Sequence, residues 1–565
     1  MKTKLFFAAM AAVAVIGCQK EVGGSVTGEA DGMASFLKVN LNTAGTITKA
    51  DPGNFESGSD EENKVNSVTF YFFDAEGKKY VIQNRENYMT GNVSDWTDGE
   101  TNSIEEVSGL ILVIKQSNGD VPAQMVAVLN APTELQRSMT LADLNASINT
   151  LYDDNNGFIM SNSVYVKENE ENEENNVVIQ TTAITEANLF NANLVAGDPG
   201  YNPPGTILKP DNTDVPDGIA PVEIYVERIA TKVTVEGAEN VNLEKIPVYA
   251  EDGTTQLTVG EGENVKEVFV KITGWDITNN TASSHILKQL EATYSPAPFT
   301  PWNNASFFRS YWAKTDAEPL HNLKYTDLTS TLPKYYHENT AAATESNGVD
   351  VDLNGTYENP NKSANQAPQL LVAATLINAA GNPIYLARWY GKNYTEAGVK
   401  DAMIATVDHR LYTRTGDGTE VSPYEFAPIV AGDVVFSQTG QTAESKRYEV
   451  YASAKEDTEY YDAAGNLMKL DAVNKILNAI EPAQIWKDGK TYYYTTISHF
   501  GNSKGMVRNH CYQILIDSVK GFGTPVYEPG FVITPEKPVD SEAVNLSARI
   551  NILQWHLVNQ NVTLQ

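Results

Sequence analysis

Short runs of alternating apolar and polar residues recur along most of the chain. In VNSVTFYFFD at 65–74, Val68, Phe70 and Phe72 fall on one side of an extended backbone, because successive side chains of a strand point to opposite faces. Many short strands with turn residues between them are typical of antiparallel β-sandwiches, so we expect a mainly β protein. Comparable runs, divided by Gly, Asn, Asp and Pro, occupy 109–116, 124–131, 221–236, 267–278, 368–377, 382–390, 490–498 and 511–519.

Helical patterns are few. Residues 133–151 predict one or two short helices, and residues 395–407 predict another with Thr395 as its N-cap. The Glu-rich stretch 168–176 and the Pro- and Gly-rich stretch 197–218 are typical of solvated surface loops. We therefore expect the helices to connect strands and not to form a layer of their own.

The N-terminus has the pattern of an export signal. A positively charged start precedes an apolar run of twelve residues, 5–16, which is too short to span a bilayer as a helix. The run ends in VIGC at 15–18, which resembles the lipobox of bacterial lipoproteins. On that resemblance residues 1–17 are a signal peptide and Cys18 carries a lipid that anchors the precursor to a membrane. The alternative is an ordinary signal peptide followed by an incidental cysteine.

Composition narrows the classes of function. A chain of 565 residues exceeds one ordinary core and predicts at least two domains. Its formal net charge of −31 repels phosphate backbones, which argues against a nucleic-acid partner. Cys511 is the only cysteine besides Cys18, so we expect no internal disulfide. The seven histidines show no metal-ligand spacing, and DDNNG at 153–157 lacks the Glu of a calcium loop. No cofactor or metal is expected.

One motif has the spacing of a hydrolase nucleophile. GNSKG at 501–505 fits Gly-x-Ser-x-Gly, with Ser503 at the nucleophile position. A nucleophile elbow requires a strand before the serine and a helix after it. A strand pattern precedes the motif, but MVRNHCYQILIDSV after it alternates like a second strand. We therefore interpret Ser503 as part of a hairpin turn and expect no enzyme.

The segment that follows Ser503 has a different significance. GMVRNHCYQILIDSVKGFGTP at 505–525 resembles the last strand region of the Bacteroidales fimbrilins, the subunits of type V pili. Further stretches that agree are 65–78, 126–132, 226–235 and 308–314. The resemblance extends from the signal peptide to the C-terminus and is greatest to the shaft subunit of the short, or minor, fimbriae. Matching residues of the motif are Val507, Arg508, Asn509, His510, Tyr512, Ile514, Ile516, Gly521 and Gly523.

The resemblance implies two transthyretin-like antiparallel β-sandwich domains in tandem, joined near residues 220–232. It also implies a C-terminal extension that donates a strand to another subunit. The organisation expected on this basis is a signal peptide at 1–17, a propeptide with the first strand at 18–49, an N-terminal sandwich at 50–229, a C-terminal sandwich at 230–523, a Pro-rich spacer at 524–542 and a donor strand at 543–565.

The first strand is predicted at MASFLKVNL, residues 33–41, which is able to fill a groove in the N-terminal sandwich. A polar stretch, 42–63, follows and contains Lys49-Ala50, an exposed basic site of the kind that proteases cut. In the family a trypsin-like protease cuts after an Arg here; the Lys in this chain leaves the protease open. The alternative is an uncut linker. The face that the first strand presents comprises Met33, Ser35, Leu37, Val39 and Leu41.

The C-terminal tail is predicted to replace that strand. Residues 524–540 contain four prolines and form a stiff spacer. Beyond it the apolar alternation of the first strand recurs, then changes phase at Leu553 as if a bulge intervenes. The alternative is that the tail is the last strand of its own domain. The predicted donor residues are Val544, Leu546, Ile550, Ile552, Leu553, Trp555, Leu557, Val562 and Leu564.

Two functions are consistent with the sequence. The first is a pilin of a fimbrial shaft that polymerises with copies of itself, with tip and anchor subunits as further partners. It starts as a lipoprotein on the outer membrane and faces a host surface or other bacteria. The second is an anchored lipoprotein whose sandwiches bind glycan or host protein through Trp302, Trp389 or Trp486. Cleavage at Lys49 separates the two, because a permanently anchored binder retains residues 18–49.

Overall fold

The computed structural model confirms the mainly β class. Strands form most of the regular structure, and the α-helices are short. The residues that it describes are 34–43, 58–95, 109–115, 121–153, 157–167, 177–191, 201–209, 216, 218–260, 265–289, 320, 322–339, 367–407, 410–416, 418–438, 449–497, 505–533 and 545–554.

A ten-stranded sheet contains most of the N-terminal strands. Its main path is β14-β4-β1-β15-β9-β5-β2-β3, with β12 paired to β5 and β13 paired to β1. The strands of this half are β1 (Ala34–Thr43), β2 (Ser67–Phe73), β3 (Tyr88–Asn92), β4 (Leu110–Lys115), β5 (Gln124–Leu129), β6 (Ser147–Ile148), β7 (Tyr152–Asp153), β8 (Gly157–Phe158), β9 (Met160–Asn162), β10 (Tyr165–Lys167), β11 (Val177–Ile179), β12 (Thr182–Ala183), β13 (Leu189–Asn191), β14 (Ile207–Leu208) and β15 (Val222–Arg228).

A nine-stranded sheet organises the C-terminal half. The chain passes from β15 through Ile229 directly into its first strand, β16. The path is β22-β16-β33-β17-β20-β23-β32-β34, and β35 pairs with β33. Outside this sheet, β18 pairs with β19, and β21 pairs with β6. The strands of this half are β16 (Ala230–Gly237), β17 (Ile246–Tyr249), β18 (Thr258–Val259), β19 (Lys266–Glu267), β20 (Phe269–Thr278), β21 (Ser284–His285), β22 (Lys334–His337), β23 (Gln369–Ile377), β32 (Lys490–Thr496), β33 (His510–Lys520), β34 (Thr524–Pro525) and β35 (Asn545–Gln554).

A third packed unit is inserted between β23 and β32, which the sequence patterns did not predict. It contains a five-stranded and a three-stranded sheet, two helices and a hydrophobic core of its own. The elements are β24 (Leu386–Trp389), β25 (Lys392–Tyr394), β26 (Tyr412–Thr415), β27 (Glu425–Pro428), β28 (Val434–Ser437), β29 (Glu449–Ala454), β30 (Tyr460–Tyr461) and β31 (Ala483–Trp486), with α3 (Glu396–Ala405) and α4 (Leu470–Leu477).

The helical predictions are confirmed in part. Helix α3 begins where the sequence predicts it, with the Thr395 hydroxyl accepting from the backbone N–H of Gly398. The stretch 133–151 holds only a 3₁₀ turn and a single helical turn. Helix α4 was missed. Among the described residues the remaining helices are α1 (Asp60–Asn63) and α2 (Leu141–Leu144), and the 3₁₀ turns are Val93–Asp95, Thr133–Leu135, Glu186–Asn188, Tyr325–Asp327, Ala431–Asp433 and Lys487–Gly489.

The hairpin predicted around Ser503 is wrong in its pairing. Strands do flank the motif, as β32 and β33, but they are not paired with each other. β32 pairs with β23 and β34, whereas β33 pairs with β16, β17 and β35. Local alternation identified both strands, but the partner of each lies far away in the sequence. Ser503 itself lies outside the described residues.

Candidate assembly interface

The first strand lies in the interior of the N-terminal sheet. β1 is antiparallel to β4 on one side, where Leu37 pairs with Leu112, and parallel to β15 on the other, where Val39 pairs with Val222. Its first residues also pair with β13. A strand in this position satisfies the backbone hydrogen bonds of two neighbours, so its removal would open two sheet edges.

β1 contributes to two apolar clusters, one on each face. Leu37 and Val39 are both 0% exposed and belong to the main N-terminal core. Phe36, which is 2% exposed, points to the opposite face and stacks on Phe190 with 5.2 Å between ring centroids. Ile111 and Val113 of β4 complete this second cluster.

The role of Phe36 was missed by the sequence analysis, which considered one face only. The signal was present, because two adjacent apolar residues in an alternating strand indicate that both faces are buried. Of the predicted first-strand residues, Leu37 and Val39 are core residues. The backbone of Leu41 pairs with Ile224. Met33 lies outside the described residues.

A polar pair borders the same strand. Nδ2 of Asn40 donates to Oε1 of Glu223, 2.7 Å away, where β1 and β15 pair. Glu223 is solvent-exposed and Asn40 is half-buried. The outer edge of the β1 site therefore presents a carboxylate to whatever occupies position 40.

The chain re-enters described structure shortly after β1. Ser59 and Glu62 form a capping box on α1, and the next lysine, Lys64, is half-buried with its carbonyl accepting from Nδ2 of Asn130 at 2.9 Å. Cys18, Lys49 and Ala50 lie outside the described residues. The lipidation and cleavage sites thus stay predictions.

The C-terminal tail pairs with its own C-terminal sheet. β35 runs antiparallel to β33 from Asn545, opposite Lys520, to Gln554, opposite His510, with one register shift between Ile516 and Ser518. In this state the tail is the last strand of its own domain, the alternative that the sequence left open. Among the predicted donor residues, the backbones of Leu546, Ile550, Ile552 and Leu553 lie in β35, whereas Val544, Trp555, Leu557, Val562 and Leu564 lie outside the described residues.

The Val-Arg-Asn-His motif, residues 507–510, forms a hub of hydrogen bonds at the start of β33, the strand with which the tail pairs. Nη2 and Nε of Arg508 donate to Oε1 of Glu338, at 2.6 and 3.1 Å, and Nη1 donates to the carbonyl of Ile286. Asn509 adopts a left-handed backbone conformation, with φ of 59°. Its amide donates to the carbonyl of Ala230 at 2.7 Å. The motif therefore fixes the entry of β33 against β16.

Two further ion pairs are buried. Each joins a residue of the N-terminal half to a residue of the C-terminal half. Nζ of Lys288 lies 3.0 Å from Oε2 of Glu227, with both side chains 0% exposed. Burial, opposed by Glu227 and Glu338, lowers the pKa of Lys288. Lys232 of β16 lies 3.0 Å from Glu62 of α1. Burial would raise the pKa of Glu62, but hydrogen bonds from Tyr335, Ser59 and Lys232 outweigh it and lower that pKa.

The features proposed for other functions are not brought together. Trp389 and Trp486 are buried, and their indoles donate to the carbonyls of Glu481 and Phe522; Trp302 lies outside the described residues. Cys511 is buried, as expected. In the described part of the chain no cluster of His, Cys, Asp or Glu could hold a metal ion. Among the same residues no helix is long and apolar enough to cross a membrane.

Three solved structures resemble the chain along most of its length. A fimbrilin of Porphyromonas gingivalis W83 is 13% identical, with 93% of this chain and 98% of that one covered and a TM-score of 0.36. A protein of Parabacteroides distasonis described as a cell adhesion protein is 13% identical, with 93% of this chain and 98% of that one covered and a TM-score of 0.37. The tip fimbrial protein Mfa3 of Porphyromonas gingivalis is 11% identical, with 92% of this chain and 100% of that one covered and a TM-score of 0.30.

The similarity to a known family lies in the C-terminal region. No curated protein gave a match. Residues 484–561 match the family described as "Major fimbrial subunit protein type IV, Fimbrillin, C-terminal". The match extends from β31 across β33 and β35, so it contains both the Val-Arg-Asn-His hub and the tail. The family is one of structural subunits and not of enzymes. Residues 484–561 are thus similar to the C-terminal region of the family that the chain's own motifs predict.

Proposed function

We propose that this protein is the shaft subunit of an adhesive fimbrium and that it polymerises by donor-strand exchange after proteolysis. The observation that carries the proposal is the interior position of β1. A strand between β4 and β15 cannot leave the sheet without exposing both neighbours, and a strand from another subunit can restore what was lost.

The position of the basic residues supports cleavage at Lys49. It is the only Lys or Arg in the stretch from 44 to 63 that joins β1 to β2. Lys64, the next basic residue, is held at the end of α1 by its hydrogen-bonded carbonyl. A cut after Lys49 separates all ten residues of β1 from the rest of the chain.

The energetics favour replacement of the strand. Burial of Phe36, Leu37 and Val39 each contributes about 1.5–3 kcal/mol, which is lost when the strand leaves. β35 has the same length as β1, ten residues, and an alternating sequence. Its donation to a second copy is a head-to-tail contact, and such contacts propagate as filaments.

The earlier steps of the proposed route depend on the N-terminus. Lipidation at Cys18 would carry the precursor through the periplasm to the outer membrane surface, and cleavage at Lys49 would then release the subunit from its anchor. Tip and anchor fimbrial subunits complete the proposed assembly, which faces a host surface or other bacteria. The alternative of an anchored binder loses two of its three tryptophans, since Trp389 and Trp486 are core residues.

The test compares two lysine variants. We expect the wild-type chain to begin at Ala50 and to run on an unheated denaturing gel as a ladder that collapses on boiling. Lys49→Gln is expected to retain β1 and remain monomeric. Lys20→Gln is the matched control, because Lys20 precedes β1 and a cut there would not release it. A wild-type chain that starts at lipidated Cys18 and stays monomeric would refute the proposal.

A further inference from the structure

The vacated β1 site sets three separate requirements on its occupant. The Phe36 position, on the face opposite the main N-terminal core, needs a large apolar side chain beside Phe190. The Leu37 and Val39 positions, on the face that packs in the main N-terminal core, need apolar side chains that fit a close-packed core. Position 40 lies opposite Glu223 and takes a polar side chain. An occupant must therefore offer two adjacent apolar residues, followed in one direction by strict alternation.

Three adjacent apolar pairs occur in the tail, at 543–544, 552–553 and 557–558. A strand can enter the site in the direction of β1 or in the reverse direction. Four arrangements of these pairs match the pattern apolar, apolar, polar, apolar, polar at positions 36 to 40. In the direction of β1 the Phe36 position is filled by residue 543 or 552; in the reverse direction it is filled by residue 553 or 558.

Size excludes three of the four arrangements. Two of them, which begin at residues 552 and 558, place Trp555 in the completely buried site of Val39 and overpack it. The arrangement that begins at Ala543 leaves most of the Phe36 site empty. Aligning residues 544–552 with 33–41 by simple alternation is also excluded, because it puts Ser547 in the Phe36 site.

The fourth arrangement fits all five positions of the pattern, 36 to 40. Run in the direction opposite to β1, the tail places Leu553 in the Phe36 site, Ile552 in the Leu37 site and Ile550 in the Val39 site. The polar position 40 is then occupied by Arg549, directly opposite the exposed carboxylate of Glu223.

The positive charge of Arg549 also distinguishes this arrangement from the others. Arg549 is the only Lys or Arg in residues 541–565, and in this arrangement alone it meets Glu223. It would replace the neutral amide donor of Asn40 with a guanidinium, so that both partners of the hydrogen bond are charged. We propose that residues 546–553 of a second copy enter the β1 site antiparallel to the direction of β1, with Arg549 paired to Glu223. This inference rests on the proposed function.

Cysteine pairs test the register in the assembled fimbria. Glu223→Cys combined with Arg549→Cys is expected to yield a ladder that survives boiling and collapses with reductant. The matched controls combine Glu223→Cys with a cysteine at Ser547, Asn551, Gln554 or His556, the residues that face Glu223 in the excluded alignments. A boiling-resistant ladder from any control pair, or from no pair while heat-labile polymer still forms, overturns the inference. Failure of the wild-type chain to polymerise would instead refute the proposed function.

A charge exchange tests the ion pair itself. Glu223→Arg and Arg549→Glu each place like charges in contact and are expected to reduce polymer yield at least about tenfold. The double variant restores opposite charges and is expected to restore the yield. Cleavage at Lys49, read by N-terminal sequencing, verifies that each variant is exported and matured. A double variant no better than either single variant contradicts the pairing.

Discussion

Nη2 of Arg508 lies 2.6 Å from Oε1 of Glu338, and both side chains are almost completely removed from solvent. The other two guanidinium nitrogens are also engaged, because Nη1 donates to the carbonyl of Ile286 and Nε donates to Oε1 of Glu338. Nη2 also donates to the carbonyl of His285. His285 in turn belongs to the short strand β21, which pairs with β6 of the N-terminal half. One arginine of the Val-Arg-Asn-His motif thus connects the start of β33, with which the tail pairs, to the junction between the two halves.

Removal of Arg508 should destabilise the whole chain. Arg508→Ala leaves Glu338 buried without its charge partner, and we expect a loss of about 3–5 kcal/mol in the free energy of unfolding. The measurement is urea unfolding of the Lys49→Gln precursor, followed by circular dichroism.

The matched control for this prediction is Arg414→Ala. Arg414 pairs with Glu459 at 3.2 Å on the surface, so its loss should cost no more than about 1 kcal/mol. Equal effects of the two substitutions would show that the Arg508 pair contributes nothing beyond a surface ion pair.

Phe36→Ala should weaken the precursor but not the polymer. The substitution removes a ring stacked on Phe190 in a closed cluster, which costs about 3 kcal/mol or more in the precursor. If β1 is absent from the fimbria, the temperature at which the ladder dissociates should be unchanged.

Urea unfolding of the precursor and a heating series of the polymer provide the two readings for this prediction. Lys38→Ala, on a half-exposed neighbour, is the control and should change precursor stability by no more than about 0.5 kcal/mol. A polymer of the Phe36→Ala variant that dissociates at lower temperature would mean that β1 is still present in the fimbria.

Local pattern was sufficient for the strands and insufficient for their partners. The local pattern located β2 and β23, which are buried on both faces, and β20, which buries alternate residues over its first six positions. It could not locate the partner of β33, since β16 lies almost 280 residues earlier and pairs with it in parallel. The hairpin expectation failed for that reason.

The candidate interface was predictable to the level of segments. The first strand and the tail were both identified, but the second face of β1 was not, because one-sided alternation was assumed where Phe36 and Leu37 bury opposite faces. The partner of Arg508 was equally inaccessible. Glu338 lies 170 residues away, and nothing in its local sequence distinguishes it from a solvated glutamate.

His337 should make stability fall in mild acid. Its Nδ1 lies 2.8 Å from the Ser284 hydroxyl and its Nε2 lies 3.1 Å from the carbonyl of Asn149. Burial lowers the pKa of His337 below 6.5, while nearby Glu338 and Arg508 act in opposite directions on it. The unfolded chain therefore binds a proton at a pH where the folded chain does not, so stability declines as pH falls below about 6.5, by at most about 1.4 kcal/mol per unit.

The difference between wild type and His337→Gln isolates this contribution, because other groups titrate equally in both. Urea unfolding at pH 7.5, 6.5 and 5.5 gives the free energy of unfolding of each protein. We expect the value for wild type minus the value for the variant to decrease as pH falls. If this difference in free energy of unfolding were the same at every pH, His337 would titrate alike in the folded and unfolded chains.

Locking the tail onto its own sheet should block assembly without blocking maturation. Gln513 of β33 and Asn551 of β35 are directly opposite each other, and opposite residues of an antiparallel pair are about 4.5–5.5 Å apart at Cα, within the range of a disulfide. In Gln513→Cys/Asn551→Cys we expect cleavage at Lys49 to proceed and the subunit to stay monomeric until reductant is added. The measurement is an unheated gel with and without reductant, with intact mass to verify the bond. Each single cysteine variant is the control and should polymerise normally. If the oxidised double variant polymerised as well as the singles, release of β35 from β33 would not be required, and the tail could not be the strand that fills the β1 site.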